Sequence, residues 1–258
     1  EEVTRTYADI AFATYEDSLT TAVALQSAVA SLIADPSDQT LQAARTAWLA
    51  ARVPYQQSEA FRFGNAVVDD WEGRVNAWPL DEGLIDYTDS DHGQNEENAL
   101  VALIVIATAK FTLSGVDIDA TTITSELISG ILHEADGIEA NVASGYHAIE
   151  FLLWGQDLNG TGPRAGARTY SDFLQGQGCS GGNCDRRGAY LQAATDLLVT
   201  DLEEMTAAWG EGGAGSPAVT ADPAAGLLAA LTGIGSLSYG ELAGERIKLG
   251  PMLNDPEE

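Results

Sequence analysis

The segment that decides the fold is residues 145–155, Gly145-Tyr146-His147-Ala148-Ile149-Glu150-Phe151-Leu152-Leu153-Trp154-Gly155. It is an apolar run that carries one histidine and one carboxylate. Residues three or four apart lie on one face of a helix. One face therefore carries Ala143, His147, Glu150 and Trp154, and its neighbour carries Tyr146, Ile149 and Leu153. We expect a helix with both of these faces buried.

The His147–Glu150 spacing has two interpretations. A structural histidine–carboxylate pair on a solvated helix would contribute only about 0.2–0.5 kcal/mol. Alternatively, the two side chains are metal ligands or an acid/base pair in a cleft between helices. A buried carboxylate needs a partner or a cation, and this requirement makes a functional site as plausible as the structural pair.

Net charge restricts the partners of the protein. The 258 residues include 39 Asp and Glu against 12 Lys and Arg, for a net charge of -27. Such a surface repels nucleic acids and anionic lipids, so we exclude both as partners. An exported protein, a salt-tolerant protein and one that attracts cations all remain compatible with this charge.

Neither a membrane span nor a signal peptide is expected. The longest uninterrupted apolar run, 99–107, is far shorter than the ~20 residues of a membrane helix, and we expect a buried helix over 99–111 instead. The chain opens on Glu1-Glu2, as a mature, exported product would. Cys179 and Cys184 bracket a short loop and are expected to form a disulfide in an oxidising compartment, rather than half of a metal site.

Helical periodicity dominates the chain. It predicts helices over 3–34, from Ser37 through Pro54, over 122–134 and over 188–209, and a last one from Asp222 to Gly250. No segment alternates with the period of two that is typical of strands. The prediction is an all-α protein of six to eight helices in antiparallel bundles.

Other polar residues could join the site. The ordered, apolar loop 76–87 carries Asp81, Glu82 and Asp86, which could be ligands, carboxylate partners or helix caps. His133-Glu134 does not complete the zinc-protease pattern His-Glu-x-x-His, because position 137 is Gly. Two sets of arginines each have two interpretations. Arg45 and Arg52 form either a solvated face or the lining of a cleft, and Arg164, Arg168, Arg186 and Arg187 are expected to pair with carboxylates rather than to form an anion-docking patch.

Several segments resemble one known family. Gly145-x-His147-x-x-Glu150 resembles the Gly-x-His-x-x-Glu motif of the imelysin-like proteins, the peptidase M75 and iron-regulated protein A type. Pro54-Tyr55 with Glu59-Ala60-Phe61-Arg62, the stretch Trp78 to Tyr87, and His147 to Asp157 are similar to family segments and occur in the family order. Cys184 to Arg187 and Gly244-Glu245-Arg246 match less specifically. Family members usually continue beyond the length of this chain.

The resemblance implies a helical fold in two related bundle parts. Residues 1–115 would form the part with the Trp-Pro-Leu-Asp-Glu-Gly loop, and residues 116–258 the part with the motif and the cysteine loop. It also implies export to the periplasm or bacterial cell surface, expression linked to iron, and a metal-binding or catalytic role for His147 and Glu150. Residues of the matching segments are expected nearby: Glu59, Arg62, Asp81 and Asp86.

Three functions follow from these expectations. The first is an exported protein that binds a divalent or ferric metal ion, iron or zinc, or an iron-containing ligand, through His147 and Glu150 in bacterial iron acquisition. The alternative is an M75-type metallopeptidase with a polypeptide substrate, although a catalytic zinc normally has three protein ligands. The third is a receptor for a larger anionic ligand such as haem or a siderophore, lined by Arg52, Arg62, Trp78, Tyr87 and Trp154.

Overall fold

Two long helices open the chain in the computed structural model, which describes residues 1–94, 98–159 and 165–243. They are α1, Glu2–Ala34, and α2, Asp38–Ser58. The turn between them is a capping box. Ser37 Oγ accepts a hydrogen bond from the Thr40 amide at 3.2 Å, and Thr40 Oγ1 accepts one from the Ser37 amide at 3.0 Å. Both predicted helices and the Ser37 cap are confirmed, and Pro54 lies inside α2 without ending it.

Shorter elements follow, and one long helix. In chain order they are α3 Ala66–Asn76, α4 Glu82–Ile85, strands β1 Lys110–Leu113 and β2 Val116–Asp119, α5 Ser125–Leu127, α6 Gly145–Trp154, α7 Cys184–Trp209, α8 Gly215–Thr220 and α9 Pro223–Gly235. β1 and β2 form an antiparallel hairpin. π-Helical turns continue α5 over Ile128–Leu132 and α9 over Ser236–Ala243. The fold is all-α apart from this hairpin, and it confirms the predicted fold class.

The core lies between α1, α2, α6 and α7, which pack against one another. Aromatic rings fill its centre. The Tyr55 and Tyr146 rings are 4.8 Å apart between centroids, and Tyr15 packs edge-on against Trp71 at 5.9 Å. Burying a large apolar side chain contributes about 1.5–3 kcal/mol, so these contacts hold α6 firmly at the centre of the bundle. Because α1 packs against α7, contacts also connect the two predicted bundle parts, whose division at residue 115 stays a prediction.

The predicted buried helix over 99–111 is wrong. Residues 99–107 form turns that pair with α4 and then enter the hairpin. The amides of Ile104, Val105 and Ile106 donate to the carbonyls of residues 83–85 at 2.9–3.1 Å. Gly83 permits this close approach, since a Cβ there would collide with Val101.

Two other boundaries differ from prediction. The helix expected over 122–134 is confined to 125–132, because Glu134 and Asp136 take left-handed backbone conformations that end it. The hairpin β1–β2 begins at Lys110, inside the helix expected over 99–111, and no strand was predicted there. The last helix begins at the predicted Asp222-Pro223, with Asp222 accepting hydrogen bonds from two following amides. Its predicted end, Gly250-Pro251, lies outside the described residues.

Among the described residues, α1 is the one helix long and apolar enough by length and composition to cross a membrane, although no membrane helix was expected from the sequence. In the fold α1 is a bundle helix, with Tyr15, Leu25 and Leu32 fully buried against its neighbours. Core helices of globular proteins commonly have this length and composition.

The predicted disulfide between Cys179 and Cys184 is present, with the Cα atoms 5.8 Å apart. Cys184 begins α7, so the bond ties the preceding loop to the start of that helix. Cys184 is buried, and the disulfide lies close to the buried Arg187. The pairing favours the oxidising compartment expected from the sequence.

Candidate functional site

Helix α6 is positioned by its first turn. Gly145 has φ +78°, and a Cβ there would collide with the Val75 carbonyl of α3, so this position requires glycine. The Ser144 hydroxyl donates to the Arg74 carbonyl at 3.0 Å, and the Trp48 indole donates to the Tyr146 carbonyl at 2.9 Å. The glycine of the Gly-x-His-x-x-Glu pattern thus sets where the histidine and the glutamate project.

His147 and Glu150 form a pair on this helix. His147 Nδ1 is 3.2 Å from Glu150 Oε2, and the imidazole packs edge-on against the Trp78 ring at 4.8 Å between centroids. The side chains are 19% and 42% exposed, respectively. The prediction that both faces of α6 are buried is therefore wrong for this face, which borders a cavity, and correct for the face of Tyr146, Ile149 and Leu153.

The cavity beside His147 has a volume of about 400 Å³. Its walls come from α6, from the loop before α4 and from the segment after α6. The lining residues that carry ionisable side chains are Glu82, His92, His147, Glu150 and Asp157. Trp78, Phe151 and Trp154 supply the apolar wall. Two imidazoles and three carboxylates in one cavity form a set of donors suited to a transition-metal cation.

Glu82 is the most perturbed acid of this cavity. Its Oε2 is buried and has no hydrogen-bond partner among the residues that the structure describes. Burial raises the pKa of Glu82 to about 7, with Arg168 opposing the rise and Asp157, Asp81 and Glu150 adding to it. Near neutral pH the Glu82 carboxyl is therefore shared between its protonated and ionised forms, and a bound cation would stabilise the ionised one.

His92 lines the same cavity as Glu82. Its Nε2 is buried without a hydrogen-bond partner in the described ranges, while Nδ1 lies 3.2 Å from the Gln156 amide nitrogen. A buried ring nitrogen without a partner costs free energy, and a ligand that bonds to it recovers that cost. His133, by contrast, lies beside Ser144, 3.2 Å from its hydroxyl, and burial lowers its pKa.

Asp81 and Asp86 come from the same loop as Glu82 but have protein partners. Asp81 caps α4, accepting hydrogen bonds from the Leu84 amide at 3.1 Å and the Leu100 amide at 2.9 Å. Asp86 accepts two hydrogen bonds from Arg187, at 2.6 and 3.0 Å. Both carboxylates are buried, Asp81 with its pKa raised by that burial. Each is already engaged in holding the loop in place.

Glu59 and Arg62 lie in a second polar cluster. Arg62 is 3.3 Å from Glu72, 3.2 Å from Asp69 and 3.8 Å from Glu59. This cluster borders a different cavity, of about 480 Å³, in which Arg62 and Glu72 face Trp78. Trp78 lines this cavity and the one beside His147, so the indole separates the two polar groups. The structure thus brings Glu59 and Arg62 near the His147 cavity but not into it.

The donor atoms that line the His147 cavity decide whether a metal ion fits there. The unpaired Glu82 Oε2 and His92 Nε2 are the atoms a cation would use, and His147 and Glu150 lie in the same cavity. Across the described ranges, no three His, Cys, Asp or Glu side chains are grouped as a metal site requires. The donor types therefore fit a metal, whereas their spacing requires side-chain movement before three could share one ion.

Comparison with known proteins identifies the family. The family model for imelysin, Peptidase_M75, matches residues 11–258. The chain belongs to the imelysin family. The resemblance seen in the motif and its companion segments is thereby confirmed over nearly the whole sequence. The resemblance also pointed to Glu59, Arg62, Asp81 and Asp86, whose positions are those described above.

Two relatives of this imelysin-family chain carry the same name. Iron-regulated protein A of Synechococcus elongatus is 42% identical over 50 residues, which are 19% of this chain and 14% of that protein. The crystal structure of a protein described as an iron-regulated protein A precursor from Parabacteroides distasonis superposes with a TM-score of 0.55 at 26% identity. That match covers 94% of this chain and 52% of the relative, so the chain spans about half the length of the solved protein.

Two cavity residues of the imelysin-family chain were missed or underrated by sequence reasoning. His92 lies in a stretch that reads as a polar linker, and its only sequence signal is that it is one of three histidines. Glu82 was considered together with Asp81 and Asp86, yet among these three only Glu82 lines the His147 cavity. A sequence places three acids within six residues but cannot say which of them the α4 turn directs inward.

Proposed function

We propose that this protein is an exported binding protein for a metal ion, iron or zinc, or for an iron-containing ligand, and that it serves bacterial iron acquisition. The binding site is the cavity of Glu82, His92, His147 and Glu150. The observation that carries the proposal is the pair of buried, unpartnered atoms, Glu82 Oε2 and His92 Nε2, in the same cavity as the motif pair.

Electrostatics favours a cation at this position. Glu82, Glu150 and Asp157 line one small cavity in a protein of net charge -27, and burial raises the pKa of Glu82. Like charges that repel each other in a confined space are stabilised by a positive ion. Imidazole nitrogen and carboxylate oxygen are ligands that iron and zinc accept, and geometry would select between the two metals.

Binding requires a local closure of the cavity. Glu150 is half exposed and can change rotamer at low cost, whereas His147 is held against Trp78. Glu82 lies on the short α4 turn, whose backbone is fixed by Asp81. Rotation of the His92 and Glu150 side chains toward Glu82 and His147 would group the donors without moving a helix.

The test measures metal content and affinity. Protein is purified without chelator, analysed for iron and zinc, and then titrated with each metal after its removal. We expect the metal to be lost in His147→Ala and weakened in His92→Ala and Glu82→Gln. His133→Ala is the matched control, because His133 contacts Ser144 instead of the cavity. Equal metal affinity in His147→Ala and the unaltered protein would overturn the proposal.

Export and the link to iron rest on other observations. The disulfide Cys179–Cys184 is typical of an oxidising compartment such as the periplasm or the cell surface. Two relatives bear the name iron-regulated protein A, which suggests a role in iron supply for this chain as well. Recovery of the protein from the periplasmic or surface fraction of its host, with the disulfide intact, tests the location.

The alternative is a metallopeptidase of the M75 type. One observation favours it, the near-neutral pKa of Glu82, which suits a general acid or base that acts at physiological pH. A metal there would activate water, and the protein would position the polypeptide along the cavity rim. Cleavage of a denatured polypeptide that is lost in Glu82→Gln and Glu150→Gln, at unchanged metal content, would support this alternative over binding alone.

A further inference from the structure

A third cavity shares the Trp154–Gln156 turn with the His147 cavity and is lined in part by Arg168. Arg168 Nη1 donates to Asp86 Oδ2 at 2.8 Å and to Asp172 Oδ2 at 2.9 Å. The guanidinium is stacked between aromatic rings, 5.0 Å from Tyr87 and 5.7 Å from Phe151. Its side chain is only 1% exposed. The ion pairs with Asp86 and Asp172 confirm the expected pairing of this arginine with carboxylates.

One edge of the Arg168 guanidinium remains unused. Nε and Nη2 are buried and have no hydrogen-bond partner in the described parts of the chain. Leaving charged donors buried and unsatisfied costs more than leaving neutral ones unsatisfied. The Nε–Nη2 edge presents two parallel N–H groups, the geometry that a carboxylate fills with two hydrogen bonds.

The space beside Arg168 can hold a small organic molecule. The cavity has a volume of about 590 Å³. Arg168 lines it together with apolar and hydroxyl-bearing residues, which include Tyr87, Trp154, Leu158, Thr169 and Ser180. A mixed lining of this kind suits a ligand with one charged end and one apolar part. Asp89 is on the exposed rim, away from the buried guanidinium.

Arg168 lies in a buried cluster of charged groups. Arg45 Nη2 donates to the Arg168 carbonyl at 2.7 Å, which places a further guanidinium near it. The carboxylates that pair with the cluster are those of Asp86 and Asp172, and the charge of Arg168 also acts on Glu82. Asp86 and Asp172 both bond to Nη1 of Arg168, so neither uses the Nε–Nη2 edge.

Gly155 lies beside the Nε–Nη2 edge of Arg168. It has φ +73°, and a Cβ built there would lie 3.5 Å from Nε and 3.7 Å from Nη2. Gly155 also lines this cavity. Since Nε and Nη2 are buried, a ligand bonds to them only if the groups that surround them move aside.

From this geometry we infer a second binding site: the cavity of Arg168 takes a carboxylate-bearing organic ligand, whose carboxylate is held by the Nε–Nη2 edge and whose apolar part packs on Trp154 and Tyr87. The inference does not depend on metal binding, since His147 and Glu82 line the other cavity. It differs from the expected role of Arg168, which was charge pairing alone.

The test follows the Nε–H signal of Arg168 by NMR in the full chain. Phenylacetate is the probe, phenylacetamide its uncharged counterpart, and inorganic phosphate an anion of different shape. We expect a saturable shift of this signal with phenylacetate, with a Kd on the order of 1 mM as suits a small fragment. Phenylacetamide and phosphate should leave it unchanged at the same concentration.

Two variants separate this cavity from its neighbour. Replacing Arg168 itself would break buried ion pairs and could unfold the protein, so the cavity is filled instead. Ala167→Phe projects into the Arg168 cavity and Ala165→Phe into the His147 cavity, and both alanines are exposed. Ala167→Phe should weaken phenylacetate binding at least about tenfold, whereas Ala165→Phe should retain it.

Each result that contradicts the inference has its own meaning. An Arg168 signal that phenylacetate does not shift would overturn the inference, and so would an equal shift in Ala167→Phe at an unaltered melting temperature. A response to phenylacetamide as large as that to phenylacetate would remove the role of the carboxylate. Loss of metal in the His147 variants with an intact phenylacetate response would show that the two sites function separately.

Discussion

Replacing Glu82 by glutamine should stabilise the protein at alkaline pH and leave it unchanged in acid. Glu82 is partly buried, its Oε2 is buried with no partner among the described residues, and burial raises its pKa from 4.5 to about 7. A carboxyl group with a raised folded-state pKa favours folding most when it is protonated. This contribution is present below pH 4.5 and is lost as the pH rises through about 7.

The magnitude follows from the same pKa. Each tenfold change in proton affinity corresponds to about 1.4 kcal/mol, so ionising Glu82 in the folded state costs up to about 3 kcal/mol at about pH 8. A glutamine side chain resembles the protonated carboxyl group and avoids this cost. For a chain of this size, 1 kcal/mol moves the melting temperature by about 2–4 °C, so we expect Glu82→Gln to melt up to about 6–12 °C higher at about pH 8.

The assay is thermal unfolding followed by circular dichroism, with a chelator present so that no metal holds Glu82 ionised. Melting temperatures are compared at about pH 4.5 and about pH 8, because the predicted gain exists only in the second condition. Glu203→Gln is the control, since Glu203 is exposed on α7. The reasoning is refuted if Glu82→Gln melts lower than the unaltered protein at the alkaline pH, or if its gain is equal at both pH values.

Two further predictions concern the scaffold of the site. Asp86→Asn should lower the free energy of unfolding in urea by about 3–5 kcal/mol, because it leaves Arg168 and Arg187 short of a buried counter-charge. Asp119→Asn, which breaks the exposed pair with Lys110, should change that free energy little. Similar losses in both variants would contradict this account. Gly145→Ala should lower the free energy of unfolding by about 1–3 kcal/mol or more, because of the positive φ and the collision with the Val75 carbonyl. Gly130→Ala is the control, since a Cβ there meets nothing within 4 Å and should cause no such loss. Calorimetry of the two variants measures the difference.

Periodicity predicted the long helices well and the short segments poorly. α1 and α2 can be predicted from their own residues, since their apolar spacing and the Ser37 capping box are local features. The run 99–107 was wrongly predicted because an apolar run of this length suits a buried helix and a packed non-helical segment equally. It hydrogen-bonds to the backbone of residues 83–85, far more than one helical turn away in sequence. This contact forms only because Gly83 packs closely against Val101.

The candidate site shows the same division. His147 and Glu150 were found because three-residue spacing on a helix is readable from sequence, and their 3.2 Å separation follows from it. Glu82 and His92 could not be assigned in this way, because they reach the cavity from loops whose course depends on the whole bundle. The same holds for Arg168, whose unused edge appears only once its partners Asp86 and Asp172 are placed.

The sequence by itself determined the helical class, the caps, the disulfide and the family motif, because each depends on residues that are neighbours along the chain or one helical turn apart. Tertiary structure alone decided which acids are satisfied and which are not. Asp81 and Asp86 accept hydrogen bonds from amide and guanidinium groups, whereas Glu82 Oε2 has no partner among the described residues. Burial without a partner is a property of the packed molecule, and it is the reason we propose Glu82, rather than Asp81 or Asp86, as a binding group.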